Sequence, residues 1–154
     1  MSVENQAGNV PRPWNTSNLV TRFFTSANTF LYRLSGGKIA ARIGKAPILL
    51  LNTTGRKTGI QRTTPLLYLK DGDNLILVAS AGGAPTHPTW WLNLRANPQA
   101  EVEIGKQKLP VTARQANPEE RAHFWPLLVN MYPGYAEYEK KTTREIPVVI
   151  VSPR

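Results

Sequence analysis

The sequence predicts a mostly β protein with a few peripheral helices, an α+β fold built on a small barrel of about six mainly antiparallel strands. Three observations carry that expectation. Short apolar or alternating runs recur along the chain, separated by tight turn signals such as Asp71-Gly72-Asp73 and Gly105-Lys106. Thirteen prolines and eleven glycines interrupt the chain too often for long helices. With 154 residues and 41% hydrophobic content, one domain with a single core is the simplest organisation.

Residues 1–15 are polar, carry Pro11 and Pro13, and read as a disordered arm. Leu19, Val20, Phe23, Phe24, Ala27, Phe30, Leu31 and Leu34 recur at helical spacing and predict an amphipathic helix over 16–35. Thr16 or Ser17 caps its start, and Gly36-Gly37 ends it. Residues 36–154 then form the barrel domain. Ala46–Thr53 and Thr63–Lys70 read as strands, and the Asp71–Asp73 turn leads into a third, Asn74–Ser80. Ala81–Pro88 is a Gly/Pro loop, and Thr89–Ala96 is a short helix ended by Asn97-Pro98. Glu101–Ile104 alternates polar and apolar residues, turns at Gly105-Lys106 and returns as Leu109–Arg114. Asn117-Pro118-Glu119-Glu120 offers an Asn cap, a proline in the first turn and Glu three residues after the cap. The helix it starts runs toward Met131, and Pro126 is expected to kink or break it by removing one backbone donor. Ile146–Val151 is the last strand.

Composition narrows the function. No run approaches the ~20 apolar residues of a membrane-spanning helix, and the leading MSVENQAGNV lacks the apolar core of a signal peptide. The expected location is therefore cytoplasmic. The absence of cysteine excludes a disulfide framework and thiolate metal sites. His87 and His123 stand far apart and near no carboxylate cluster, so no metal is expected. The formal net charge is +9, and it is unevenly placed: residues 5–70 hold ten Lys or Arg and no acid, whereas residues 71–154 hold nine of each sign. The first half should face something anionic: nucleic acid, anionic lipid or a polyanionic small molecule. A solvated basic surface is the plain alternative.

The stretch from Thr53 to Arg62 has a P-loop's residue types without its spacing of glycines around the lysine, which excludes nucleotide hydrolysis. It leaves Arg56, Lys57 and Arg62 on a glycine-flexed turn between strands, where arginine grips phosphate or carboxylate through paired donors and lysine acts as a point charge. An exposed hairpin turn is the structural alternative. Ser80-Ala81-Gly82-Gly83 sits at a strand end, where backbone can approach a ligand closely. Trp90 and Trp91 are adjacent on a helix and point in different directions, one toward the core and one toward a pocket. Tyr132, Tyr135 and Tyr138 recur every three residues and either gather over a cavity or fill a gap between helix and barrel. No Ser/His/Asp arrangement or carboxylate pair supports hydrolysis.

Together TTGRKTG, RTTPLLYL, the VAS-x-GG strand end, HPTWWLNLRANP, PEER with MYP-x-Y-x-x-Y, and REIPVVIV resemble the deazaflavin-dependent nitroreductase family, in order, over roughly residues 45–153. The resemblance implies a split β-barrel of the FMN-binding-protein type that binds coenzyme F-420, a deazaflavin with a ribityl phosphate, a lactyl group and a glutamate tail. It implies that the reduced cofactor donates hydride to quinone-like or nitroaromatic acceptors. By resemblance, the cofactor contacts Arg56, Lys57, Thr58 and Arg62, then Thr63, Thr64, Pro65, Leu66 and Leu67 of the following strand. Val78, Ala79, Ser80 and Ala81 contribute from the next strand end, and Trp90, Trp91, Leu92 and Asn93 from the short helix. Tyr135 approaches the ring from the substrate side, and Tyr132 and Tyr138 shape the acceptor pocket. Ser80 and Tyr135 are the candidates for orienting the acceptor or delivering a proton. Family members that reduce nitroimidazoles often carry lysine where this chain has Ala81, which counts against that activity more than against deazaflavin binding.

The expectation is thus an oxidoreductase. An FMN-dependent enzyme on the same barrel is one alternative, and a non-catalytic basic lipid- or nucleic-acid-binding module is another. No nucleic-acid motif is present, so nucleic acid is not an expected partner. A quinone with an isoprenoid tail stays in the bilayer. The apolar face of residues 18–34 either packs on the core or, since Arg22, Arg33, Lys38 and Arg42 flank it, makes peripheral contact with the inner face of the cell membrane.

Overall fold

The computed structural model describes Arg33, the backbone of Arg42–Ile43, and residues 46–154. The arm expected over 1–15 and the helix expected over 16–35 lie outside the described residues, except Arg33, which is helical. The strands are β1 (Arg42–Ile43), β2 (Ala46–Thr54), β3 (Gln61–Leu67), β4 (Leu69–Asp71), β5 (Asn74–Val78), β6 (Gln99–Ile104), β7 (Gln107–Gln115) and β8 (Val148–Pro153). The helices are α1 (Thr89–Ala96), α2 (Pro118–Met131) and α3 (Gly134–Lys140).

Every strand pairing is antiparallel, in the order β1-β2-β6-β7-β8-β5-β4, with β3 also on β2. About six strands were expected from turn spacing, and the described residues hold eight. The main difference lies in the run Thr63–Lys70, which breaks at Tyr68. Its first part pairs with β2, from Thr54↔Gln61 to Ile48↔Leu67. Its second part pairs with β5, where Leu69 faces Ile76. One stretch of chain therefore joins the two ends of the sheet and closes it, as barrels do to remove free edges.

The last strand starts at Val148 rather than Ile146. Pro147 has no N–H to give a ladder; its carbonyl instead accepts Ala79 N at 2.9 Å. The second hairpin turns at Gly105, whose φ of 60° suits glycine. Helix α2 begins as expected, with Asn117 Oδ1 accepting Glu120 N at 2.8 Å and Glu120 Oε1 accepting Asn117 N at 3.1 Å. It runs through Pro126 as one helix, so the proline does not break it. Pro126 is exposed while Phe124 and Leu128 on either side of it are buried, so core packing outweighs the lost bond.

Two apolar clusters form the interior. One gathers Leu49, Leu51, Trp90, Trp91, Leu94, Val102 and Val111 beneath α1, and the other gathers Phe124, Leu128, Tyr135 and Ile146 beneath α2 and α3. Strands β5 and β8 serve both: Leu75, Leu77, Val149 and Val151 belong to the first, Ile76, Val78, Val148 and Ile150 to the second. Successive strand residues point to opposite faces, so strands buried on both sides read as the continuous runs LILV and VVIV.

The register sets where loops gather. Thr54 ends β2 beside the start of β6, since Asn52 pairs with Glu101. The end of β7 and the start of β8 meet at Gln115↔Val149, and Val78 at the end of β5 pairs with Val148. The turn after β2, the start of β3, the loop after β5 and the segment before β8 therefore share one rim.

Candidate functional site

The rim begins with the turn between β2 and β3. Gly55 N donates to Ile60 O at 2.8 Å and Gly59 N to Gly55 O at 2.7 Å, which closes the turn on itself. A Cβ on Gly55 would meet Thr58 Oγ1 at 2.8 Å, so glycine is required there for space. Arg56, Lys57 and Arg62 are exposed and have no carboxylate partner among the described residues. Asn93 anchors the turn from below. It is 1% exposed, its Oδ1 accepts Arg56 N at 3.1 Å, and its Nδ2 donates to Thr53 Oγ1 at 3.2 Å. Asn93, expected among ligand contacts, is thus engaged at both ends of its amide within the protein.

Next to the turn lies a polar network that sequence reasoning missed. Arg33 donates twice to Glu103, at 2.7 and 3.2 Å. Asn52 Nδ2 donates to Glu103 at 2.8 Å and to Glu101 at 3.1 Å, while Thr63 Oγ1 donates to Asn52 Oδ1 at 2.6 Å. Glu103, read as the polar face of an alternating strand, is in fact buried. Burial pushes its carboxyl up, but the Arg33 guanidinium and the Asn52 amide outweigh this and hold it below the ordinary carboxylate range. Arg33, one of the cations read as flanking a membrane-facing surface, is here bound to Glu103 of β6. Nothing local in the sequence signals a pair 70 residues apart.

The loop after β5 carries the second cluster of expected residues. Val78, Ala79 and Ser80 are buried at the strand end, and Ala81 is exposed. Ala81, Gly82 and Gly83 all have positive φ, 47°, 63° and 81°. Gly83 lies against α3, where a Cβ would meet Tyr138 O at 2.8 Å. Arg144, which the sequence reading left without a role, reaches this loop from the segment before β8. It donates to Ala84 O at 2.9 Å, Ala79 O at 3.2 Å and Ser80 O at 2.8 Å, and meets His87 Nδ1 at 3.1 Å. The N–H groups of Ser80 and Ala81 and the Ser80 hydroxyl have no partner among the described residues.

The aromatic residues divide unevenly. Trp90 and Trp91 are both buried in the cluster beneath α1, edge to face at 6.5 Å. Thr63, Thr64, Pro65, Leu66 and Leu67 of β3 and Leu92 of α1 are half-buried, and Thr58 is exposed. The three tyrosines do gather: Tyr132 and Tyr135 centroids are 5.0 Å apart, and the Tyr132 and Tyr138 hydroxyls share a hydrogen bond of 3.1 Å. Tyr135 is buried, and burial followed by its two phenol neighbours pushes its hydroxyl far above the ordinary phenol range.

A family model described as F420H(2)-dependent quinone reductase matches residues 25–153. An F420H(2)-dependent quinone reductase of Mycobacterium tuberculosis is 43% identical over 128 residues, covering 80% of this chain and 86% of that protein. The solved structure of an F420-H2 dependent reductase is 48% identical with a TM-score of 0.64, covering 69% of this chain and 94% of that one. A heme storage protein of Vibrio cholerae, 12% identical with a TM-score of 0.52 over 70% of this chain and 81% of its own, shares the fold alone.

Proposed function

The chain belongs to the F420H(2)-dependent quinone reductase family, and from that premise we infer that it uses reduced coenzyme F-420 to reduce a quinone. The observation that carries the site is the rim. Three exposed cations without carboxylate partners among the described residues suit an anionic tail of one phosphodiester and several carboxylates. When bound, the deazaflavin supplies the hydride that the acceptor takes up.

The protein's own residues bind and orient. Arg56, Lys57 and Arg62 hold the tail, and the hydroxyls of Thr58, Thr63 and Thr64 complete its hydrogen bonding. The Ser80 and Ala81 N–H groups and the Ser80 hydroxyl offer donors beside the reacting groups. Tyr132, Tyr135 and Tyr138 wall the acceptor side, and the Ser80 and Tyr135 hydroxyls orient the acceptor oxygen. Ala81 supplies no cation there, so quinones rather than nitroimidazoles are the acceptors proposed.

Peripheral membrane contact through residues 18–34, on the cytoplasmic side, is a further proposal that rests on the sequence. No helix among the described residues is long and apolar enough to cross a membrane. Arg33 is bound to Glu103, which leaves Arg22, Lys38 and Arg42 for an anionic surface.

A titration of purified protein with reduced coenzyme F-420 and with FMN, followed by turnover with menadione, tests the reading. Binding of the deazaflavin with quinone-dependent reoxidation is expected. Uptake of FMN in its place would move the chain to flavin chemistry.

A further inference from the structure

Arg144 spends its guanidinium in an unusual way. It makes four hydrogen bonds, three to backbone carbonyls and one to His87 Nδ1, across 57 to 65 residues of sequence. It has no ion pair among the described residues, the neighbouring Glu145 being paired with Arg121. A half-buried cation facing only neutral acceptors is expensive to desolvate, and burial accordingly lowers its affinity for its proton. Arginine suits the task because its planar fork holds several acceptors in one fixed geometry, which lysine cannot do.

The geometry has a directional consequence. In a trans peptide, the carbonyl of one residue and the N–H of the next lie in one plane and point in opposite directions across the C–N bond. With the Ala79 and Ser80 carbonyls drawn toward Arg144, the N–H groups of Ser80 and Ala81 point away from it. Those are the groups without an acceptor among the described residues. The positive φ values at Ala81, Gly82 and Gly83 then fold the loop back against α3.

We propose that Arg144 is a positioning residue for quinone reduction, which holds the loop carbonyls on its own side and so aims the Ser80 and Ala81 donors at the reacting groups, with neutral His87 as its fourth acceptor. The proposal rests on the reading of this loop as part of the reductase site. The pair is self-consistent only when His87 Nδ1 is unprotonated. Burial, then Arg144 from the segment before β8 and Arg95 from α1, lowers the His87 pKa from its usual value near 6.5. Acid therefore both removes an acceptor and sets two cations face to face.

Three measurements test this. In the cofactor-free protein, the ¹⁵N signal of His87 Nδ1 should be that of an unprotonated accepting nitrogen at neutral pH, and should move in Arg144→Lys. In steady-state assays with menadione, Arg144→Gln and Arg144→Lys should both lose kcat by roughly 10–100-fold, as for misplaced groups, while the Kd for the deazaflavin shifts far less. Wild-type kcat should fall on the acid side of about 6.5. His87→Asn, whose Oδ1 replaces Nδ1 as acceptor, should retain more kcat than His87→Ala and lack the acid limb. Full activity in Arg144→Lys would show that charge alone suffices and overturn the proposal, as would a pH profile identical in wild type and His87→Asn. Should Arg144→Gln fail to fold, the two His87 variants decide. Should the wild type fail to bind deazaflavin, the reductase reading falls, while the nitrogen signal still reports on Arg144 independently.

Discussion

At the scale of the residue, the proposed site divides into groups that would meet a ligand and groups that hold them in place. Lys57 and Arg62 are of the first kind. Lys57→Ala or Arg62→Ala should weaken deazaflavin binding by about 1–3 kcal/mol, the worth of a hydrogen bond to a charged group, with a smaller loss at high salt. Fluorescence titration at two ionic strengths measures both, and unchanged affinity in both variants would remove the turn from the site. Asn93 is of the second kind. Asn93→Ala leaves the Arg56 N–H and the Thr53 hydroxyl without their partner, so it should cost about 1–3 kcal/mol of stability, seen as a lower denaturant midpoint. The cation turn was legible because its charges and glycines are neighbours in sequence. Asn93, Asn52, Glu103 and Arg144 were not legible in their present roles, because each acts through partners 37 to 70 residues away. A polar residue in an alternating strand, as Glu103 is, looks solvent-facing until its partner is known.

At the scale of the element, local chemistry reads well where it closes on itself. The α2 start, the short α1 and the two hairpins followed from caps and turn residues within four positions of one another. The break at Tyr68 did not, because Leu66-Leu67-Tyr68-Leu69 contains neither glycine nor proline and only the change of partner strand divides it. The α2 start also yields a pH dependence. Arg114 donates to both oxygens of Glu120, at 2.7 and 2.8 Å. That guanidinium, followed by the Asn117 N–H, lowers the Glu120 pKa from 4.5 to about 2. A carboxyl depressed in the folded state adds stability that is present above its ordinary pKa and is lost as pH falls through the folded value. Thermal unfolding from pH 5 to pH 2 should therefore show a steeper decline for wild type than for Glu120→Gln. Parallel curves would mean that the cap and ion pair contribute nothing to the acid limb.

At the scale of the whole molecule, the turn signals and apolar runs were enough to predict an antiparallel barrel with peripheral helices. Closure by one run of chain, and the gathering of three connections at one rim, follow only from strand order and register. A single sequence does not display these, since the paired residues of β5 and β8 lie 70 to 76 positions apart. The sharing of β5 and β8 between two apolar clusters has a dynamic consequence. Neither cluster can open alone without uncovering a strand that the other buries, so the two should exchange their amide hydrogens as one cooperative unit. Leu75–Val78 and Val148–Val151 should be the last amides to accept deuterium, at rates set by global unfolding. The Gly55–Ile60 turn should label orders of magnitude sooner. Two separable protection phases for the clusters would show that they are independent. If the amides move as one, the donor-bearing loop at Ser80 hangs directly from the slowest-exchanging strand of the protein. The Gly55–Ile60 turn, proposed to hold the cofactor's tail, can then flex without disturbing the Ser80 loop proposed to face the reacting groups.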